Sequence, residues 1–192
     1  MLLPINRLIG TPIMSLQTGT ELARTKKPII DPRKMIIVAF YVEGATVETT
    51  PSVLHVSDIR ELSDIGLIID DSDKLMGIEG LVRLQEIIDF EFELAGIKVV
   101  DEQDNKLGKV ADFAIEPETY TIQQIYTEQS ILKSLSNVSN VIHRSQIISV
   151  TNELIIVKSP TIPAEHRGEN AMTRAFVNPF RPKQQHETIE RD

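Results

Sequence analysis

The chain has 192 residues, with 20 basic and 28 acidic side chains, a net charge of −8 and no cysteine. The missing thiols exclude a disulfide framework, a thiolate zinc site and a cysteine nucleophile, and they fit a reducing compartment. Residues 158–192 hold six basic and five acidic side chains, leaving 14 against 23 in residues 1–157, a net of −9 that repels a phosphate backbone.

The opening Met1-Leu2-Leu3-Pro4-Ile5-Asn6-Arg7 has no basic start followed by an apolar run. No later stretch approaches the roughly 20 apolar residues of a membrane span, so a cytoplasmic protein without such a span is expected. The pattern that follows is one of short strands. The second of these carries Arg24-Thr25-Lys26-Lys27-Pro28; Pro28 has no N–H for a central ladder, which predicts an edge or a bulge. Ile30-Asp31-Pro32 turns the chain into a strand through Ile37, Phe40 and Tyr41, and further strands surround His55-Val56-Ser57-Asp58-Ile59 and Leu67-Ile68-Ile69. Leu81, Leu84, Ile87 and Ile88 fall at a spacing compatible with one or two turns of helix within 79–90, with an extended segment as the rival reading. Phe90-Glu91-Phe92-Glu93-Leu94 alternates strictly and is expected to open the next run of strands.

Gly96 to Asp101 is a compact apolar run, and Asp101-Glu102-Gln103-Asp104-Asn105-Lys106 supplies hairpin-turn chemistry. Leu107 to Ile115 alternates as a half-buried strand, Glu116-Pro117-Glu118-Thr119 turns, and Tyr120 to Thr127 returns. Asn140 to His143, Ser145 to Val150 and Glu153 to Lys158 complete the set, with a turn at Thr151-Asn152.

Much of this is said twice. Leu8-Ile9-Gly10 returns as Leu94-Ala95-Gly96, Ile30-Asp31-Pro32 as Ile115-Glu116-Pro117, His55-Val56-Ser57 as His143-Arg144-Ser145, and Leu67-Ile68-Ile69 as Ile155-Ile156-Val157. Gly96 follows Gly10 by 86 residues, Tyr126 follows Tyr41 by 85 and His143 follows His55 by 88. Length differences therefore collect in the turn at 17–21 and in the segments after Tyr41 and Tyr126, as surface connections allow. A repeat of this length predicts an all-β chain with a first unit at 1–77, a connecting segment at 78–90, a second unit at 91–158 and a tail at 159–192.

The sequence Leu94-Ala95-Gly96-Ile97-Lys98-Val99-Val100-Asp101, then Leu107-Gly108-Lys109-Val110-Ala111-Asp112-Phe113, then Ile115-Glu116-Pro117-Glu118-Thr119 and Ser145-Gln146-Ile147-Ile148-Ser149-Val150, resembles the PRC-barrel pattern. The first copy keeps Gly10, Ile13, Leu22, Asp31-Pro32 and Ile59 but has Ala23-Arg24-Thr25 where the pattern has Gly-Lys-Val. The resemblance covers most of residues 5–158 and implies two tandem small β-barrels joined by a short helix. It also implies an interaction module rather than a catalyst, since PRC-barrels in a photosynthetic reaction-centre subunit and in a ribosome-maturation factor perform no chemistry themselves.

Candidate chemistry is sparse. His55 and His143 occupy equivalent positions, expected at strand entrances against backbone groups, with a pH-sensitive pair as the rival reading. The four histidines (His55, His143, His166, His186) show no metal-binding spacing, and Asp70, Asp71, Asp73, Asp101, Glu102 and Asp104 read as turn residues rather than as a cation loop. No metal or cofactor is expected. Arg24, Lys26, Lys27, Arg33 and Lys34 form a candidate basic patch within the acidic body.

The tail is rich in proline and polar residues, a composition that buries too little apolar surface to fold alone, so it is expected to be disordered. Within it, Phe176, Val177, Asn178, Pro179, Phe180 and Arg181 form a short linear motif, two aromatic anchors with an arginine at the rim. The expected function is a non-catalytic adaptor or scaffold whose tail recruits a protein partner. The alternative, drawn from the resemblance, is a ribosome-assembly or RNA-associated role.

Overall fold

The computed structural model describes residues 1–44, 47, 50–79, 81–129 and 138–159. Residues 1–159 form one compact unit, and the motif at 176–181 lies outside the described residues.

The described chain is predominantly β, as the alternation predicts. Its strands are β1 (Leu3–Pro4), β2 (Pro12–Ser15), β3 (Glu21–Asp31), β4 (Ile36–Glu43), β5 (Ser52–His55), β6 (Ile59–Ser63), β7 (Gly66–Ile69) and β8 (Leu75–Gly77). After helix α1 (Val82–Ile88) come β9 (Lys98–Asp101), β10 (Lys106–Glu116), β11 (Thr121–Gln129), β12 (Val138–His143), β13 (Ile147–Val150) and β14 (Leu154–Val157).

One ladder plan occurs twice. In the first copy β2, β3, β4 and β5 pair antiparallel in succession, and β7 runs parallel to β2 while hairpinning with β6. In the second, β9, β10, β11 and β12 repeat the meander, and β14 runs parallel to β9 while hairpinning with β13. The strand path from β13 through β9, β11, β4 and β2 to β6 is an open one.

The two long strands explain how a short repeat serves so many partners. Register breaks interrupt β3 between Thr25 and Pro28, and β10 between Val110 and Asp112, which is the equivalent place. An extra residue bends each strand there; β2 or β9 pairs only with the part before the bulge, while β4 or β11 pairs on both sides of it. Pro28 sits at such a bulge, where its missing N–H costs no ladder bond.

Packing joins the copies. Leu8, Ile37 and Phe40 from the first and Ile115, Ile122 and Ile125 from the second are each fully buried in a single apolar cluster. A smaller cluster lies on the outer side of the first copy, where Leu84 of α1 covers Ile29, Ala39 and Val53. The helix therefore forms where the spacing of its leucines and isoleucines allows it, and it caps one sheet face.

Phe90–Leu94 is a correction. It is not a strand: the amides of Phe90 and Glu91 bond back to the carbonyls of Ile87 and Ile88, and Glu91 takes φ +48°. Phe92 and Leu94 are nevertheless buried while Phe90 is exposed, so two of the three alternating apolar side chains reach the core without any ladder being formed. Likewise the first residues of the expected strand 145–150 belong to a 3-10 turn at Arg144–Gln146, and the strand starts at Ile147.

Candidate interaction surface at the seam of the two copies

The copies meet at equivalent turns. After Asp31-Pro32 and Glu116-Pro117 the chain passes through Met35 and Tyr120 in the left-handed region, at φ +50° and +55°. Bulky residues rarely adopt that conformation, and here it aims two carbonyls across the seam. The Ile37 amide donates to the Tyr120 carbonyl at 3.0 Å, and the Ile122 amide donates to the Met35 carbonyl at 2.9 Å. Because Met35 corresponds to Tyr120 and Ile37 to Ile122, this reciprocal pair relates the copies by a local twofold. Tyr120 is buried with its ring edge-on to Phe40, and burial pushes its phenol up to about 12.

The symmetry fails at one side chain. Arg144, in the 3-10 turn of the second copy, donates to the carbonyls of Lys34 at 2.7 Å, Met35 at 3.0 Å and Ile122 at 3.4 Å. Its guanidinium thus clamps the first copy's turn from the second. The equivalent residue in the first copy is Val56, too short to reach the turn at 117–120. A groove of about 630 Å³ lies there instead, between Val56, Ile59, Leu62 and the residues Pro117 to Tyr120. Glu61 and Glu118 are exposed on its walls. Arg60 also lines it, but its guanidinium is held by both carboxylate oxygens of Asp70 at 2.9 and 2.7 Å.

The paired histidines are structural. His55 Nδ1 accepts from the Ser57 amide, and His143 Nδ1 accepts from the Ser145 amide, each at 3.3 Å, so each caps its own 3-10 turn. The Gln146 side chain returns a bond to the His143 amide, completing a capping box. The backbone contact is the one expected, but each histidine closes a strand, β5 or β12, rather than opening one.

The candidate basic residues lie along β3 and the turn that follows it, and most face a carboxylate. Arg24 pairs with Glu21 at 2.7 Å, Lys26 with Glu43 at 2.5 Å, Lys27 with Glu93 at 3.1 Å and Arg33 with Asp31 at 3.0 Å. Arg33 also stacks over Phe90, 5.2 Å from the ring centre. Lys34 contributes its carbonyl to the Arg144 clamp. Elsewhere, Lys98, Lys106 and Lys109 rim a groove of about 810 Å³ floored by Val99, Val100 and Val110.

No protein-family model matches this chain, and no curated protein sequence does. The surfaces must therefore be read from their own chemistry.

Three carboxyls are held below their ordinary range, Asp31 and Asp101 chiefly by groups of their own turns and Asp70 by a side chain of β6. Burial pushes the Asp31 carboxyl up, but the Arg33 guanidinium and amide outweigh it. At Asp101 the Asn105 side-chain amide acts most, opposed by burial and joined by the backbone amides of Asn105 and Gln103 and the Ser159 hydroxyl. Asp70 is lowered by the Arg60 guanidinium. Among the described residues no group of three or more His, Cys, Asp or Glu side chains is placed to hold a metal, and no helix is long and apolar enough to cross a membrane.

Arg144 and Val56 belong to no chemical motif of the sequence. Their signal is present in the sequence, since His55-Val56-Ser57 and His143-Arg144-Ser145 differ only in the middle.

Proposed function

We propose that the chain is a non-catalytic adaptor of the PRC-barrel type, in which two tandem barrel-like modules form a rigid body and the tail motif Phe176–Arg181 recruits a protein partner. One observation carries this reading. The features the two copies share are bonded inward: the histidines cap their own turns, and the Asp31 and Glu116 carboxylates accept from Arg33 and Thr119 within their own turns. Among the features that the copies do not share are the groove beside Val56 and the tail sequence. Shared residues that serve architecture, with divergent residues at the surface, suit a module that holds partners rather than one that transforms a substrate.

Affinity capture with the full chain, with the double variant F176A/F180A and with a chain ending at Ser159, each read by mass spectrometry, tests the reading. A partner retained by the full chain and lost from both others is expected. Recovery of the same partners by all three removes the tail from the recruiting role.

A further inference from the structure

We infer that the groove beside Val56 is a receptor for an arginine side chain presented by a partner protein. The inference rests on the adaptor reading and adds the chemistry of the contact. The local twofold supplies the first argument. At the equivalent place in the second copy, a guanidinium already lies against the turn after the Asp/Glu-Pro pair, bonded to the carbonyls of Lys34, Met35 and Ile122. The corresponding carbonyls are those of Thr119 and Tyr120, which line the groove, and of Ile37 behind them in the core. The Tyr120 carbonyl is oriented as that of Met35 is, because each accepts the reciprocal seam bond. The fold thus repeats the acceptor frame that binds Arg144 while Val56 leaves it without a guanidinium from its own copy.

Charge gives the second argument. Where Arg33 and Lys34 flank the filled place, Glu118 and Thr119 flank the open one, and Glu61 adds a second carboxylate. Arg60 contributes little repulsion because Asp70 holds it bidentately. A planar, five-donor cation matches several carbonyls and a carboxylate at once, which a lysine ammonium does not. The third argument is apolar. Val56 and Ile59 are half-buried and Leu62 is 36% exposed, which provides a floor for the three methylenes of an arginine stem.

The test titrates the full chain with N-acetyl-arginine methylamide and, separately, with the blocked lysine analogue, following backbone amides by NMR. Saturable shifts confined to residues 56–62 and 118–122, stronger for arginine, are expected. Val56→Arg supplies the guanidinium from within, so it should abolish those shifts while keeping the wild-type spectrum elsewhere. Should V56R fail to fold, E118Q and E61Q, both at exposed positions, should each weaken binding by about two- to fivefold. Shifts scattered over the acidic surface, equal shifts for lysine and arginine, or unchanged shifts in the variants overturn the inference. Sedimentation showing a wild-type dimer that V56R converts to a monomer would assign the groove to a second copy of the chain and overturn the partner named here. These readouts do not involve the tail, so their failure is distinguishable from failure of tail recruitment.

Discussion

Replacing Arg144 by valine would give the second copy the residue its twin already has, and the cost can be worked from the bonds. The guanidinium donates to three carbonyls at 2.7, 3.0 and 3.4 Å. A hydrogen bond to a charged group contributes about 1.5–3 kcal/mol net, but the longest of the three adds little, and water can reach carbonyls freed at a half-exposed site. Because the Met35 carbonyl keeps its bond from the Ile122 amide, the net loss should be about 1–3 kcal/mol. For a body of this size that lowers the thermal midpoint by roughly 2–4 °C per kcal/mol. With a urea slope of about 2–3 kcal/mol per molar, the urea midpoint falls by about 0.3–1.5 M. Urea titration of the full chain, followed by far-UV circular dichroism, measures this directly. Arg144→Lys keeps the charge but not the fork, and should recover less than half of the loss. A change below about 0.5 kcal/mol for R144V, or full recovery by lysine, would refute the claim that the clamp ties the copies together.

Two further outcomes follow from local geometry and from ionisation. Gly66 has φ +136°, and a Cβ placed there would lie 2.3 Å from the Pro12 carbonyl oxygen, so Gly66→Ala must shift the parallel β2–β7 pair; a loss of at least about 2–3 kcal/mol by denaturant titration is expected, and a mild effect would show that the pair can spread. Asp31 and Asp101 ionise below 3.8 when folded, so the unfolded chain takes up protons first as pH falls; their stabilisation is complete above that value and is lost as pH drops through the folded values. Urea midpoints measured from about pH 6 to pH 2.5 should fall more steeply below about pH 4 for the wild type than for D101N, and parallel curves would rule this out.

The parts of the fold that could be read in advance are those governed by neighbours along the chain. Val110 is buried between exposed Lys109 and Ala111 as the alternation of β10 predicts, although Phe113, Ala114 and Ile115 beyond the bulge are all buried, and the prolines after Ile30-Asp31 and Ile115-Glu116 mark turns by removing an amide. Pro28 marks its bulge for the same reason. What resisted reading depends on distant atoms. Nothing in the residue types of Met35 and Tyr120 announces a left-handed backbone, because that conformation is imposed by the seam they form. Arg144 reaches carbonyls 22, 109 and 110 positions away, so its difference from Val56 is visible in the repeat while its target is not. β1 pairs with β10 across more than half the chain, a partnership with no local signal. Phe90 to Leu94 has the period of a strand, yet here it matches the burial of Phe92 and Leu94 only, and no ladder forms. The histidine caps lay between these cases: repetition marked the two positions and suggested a backbone contact, while the serine amides that they cap two residues on were visible only in the structure.

The reciprocal bonds between Ile37 and Tyr120 and between Ile122 and Met35 have a consequence for variation. Had the same seam been made by two identical chains, any residue beside it would appear on both sides, so both turns would be clamped or both left open. Carrying the copies in one polypeptide frees each side to change alone. One arginine can lock the body while its counterpart stays short, giving a molecule with a closed end and a receptive end that no symmetric pair could possess.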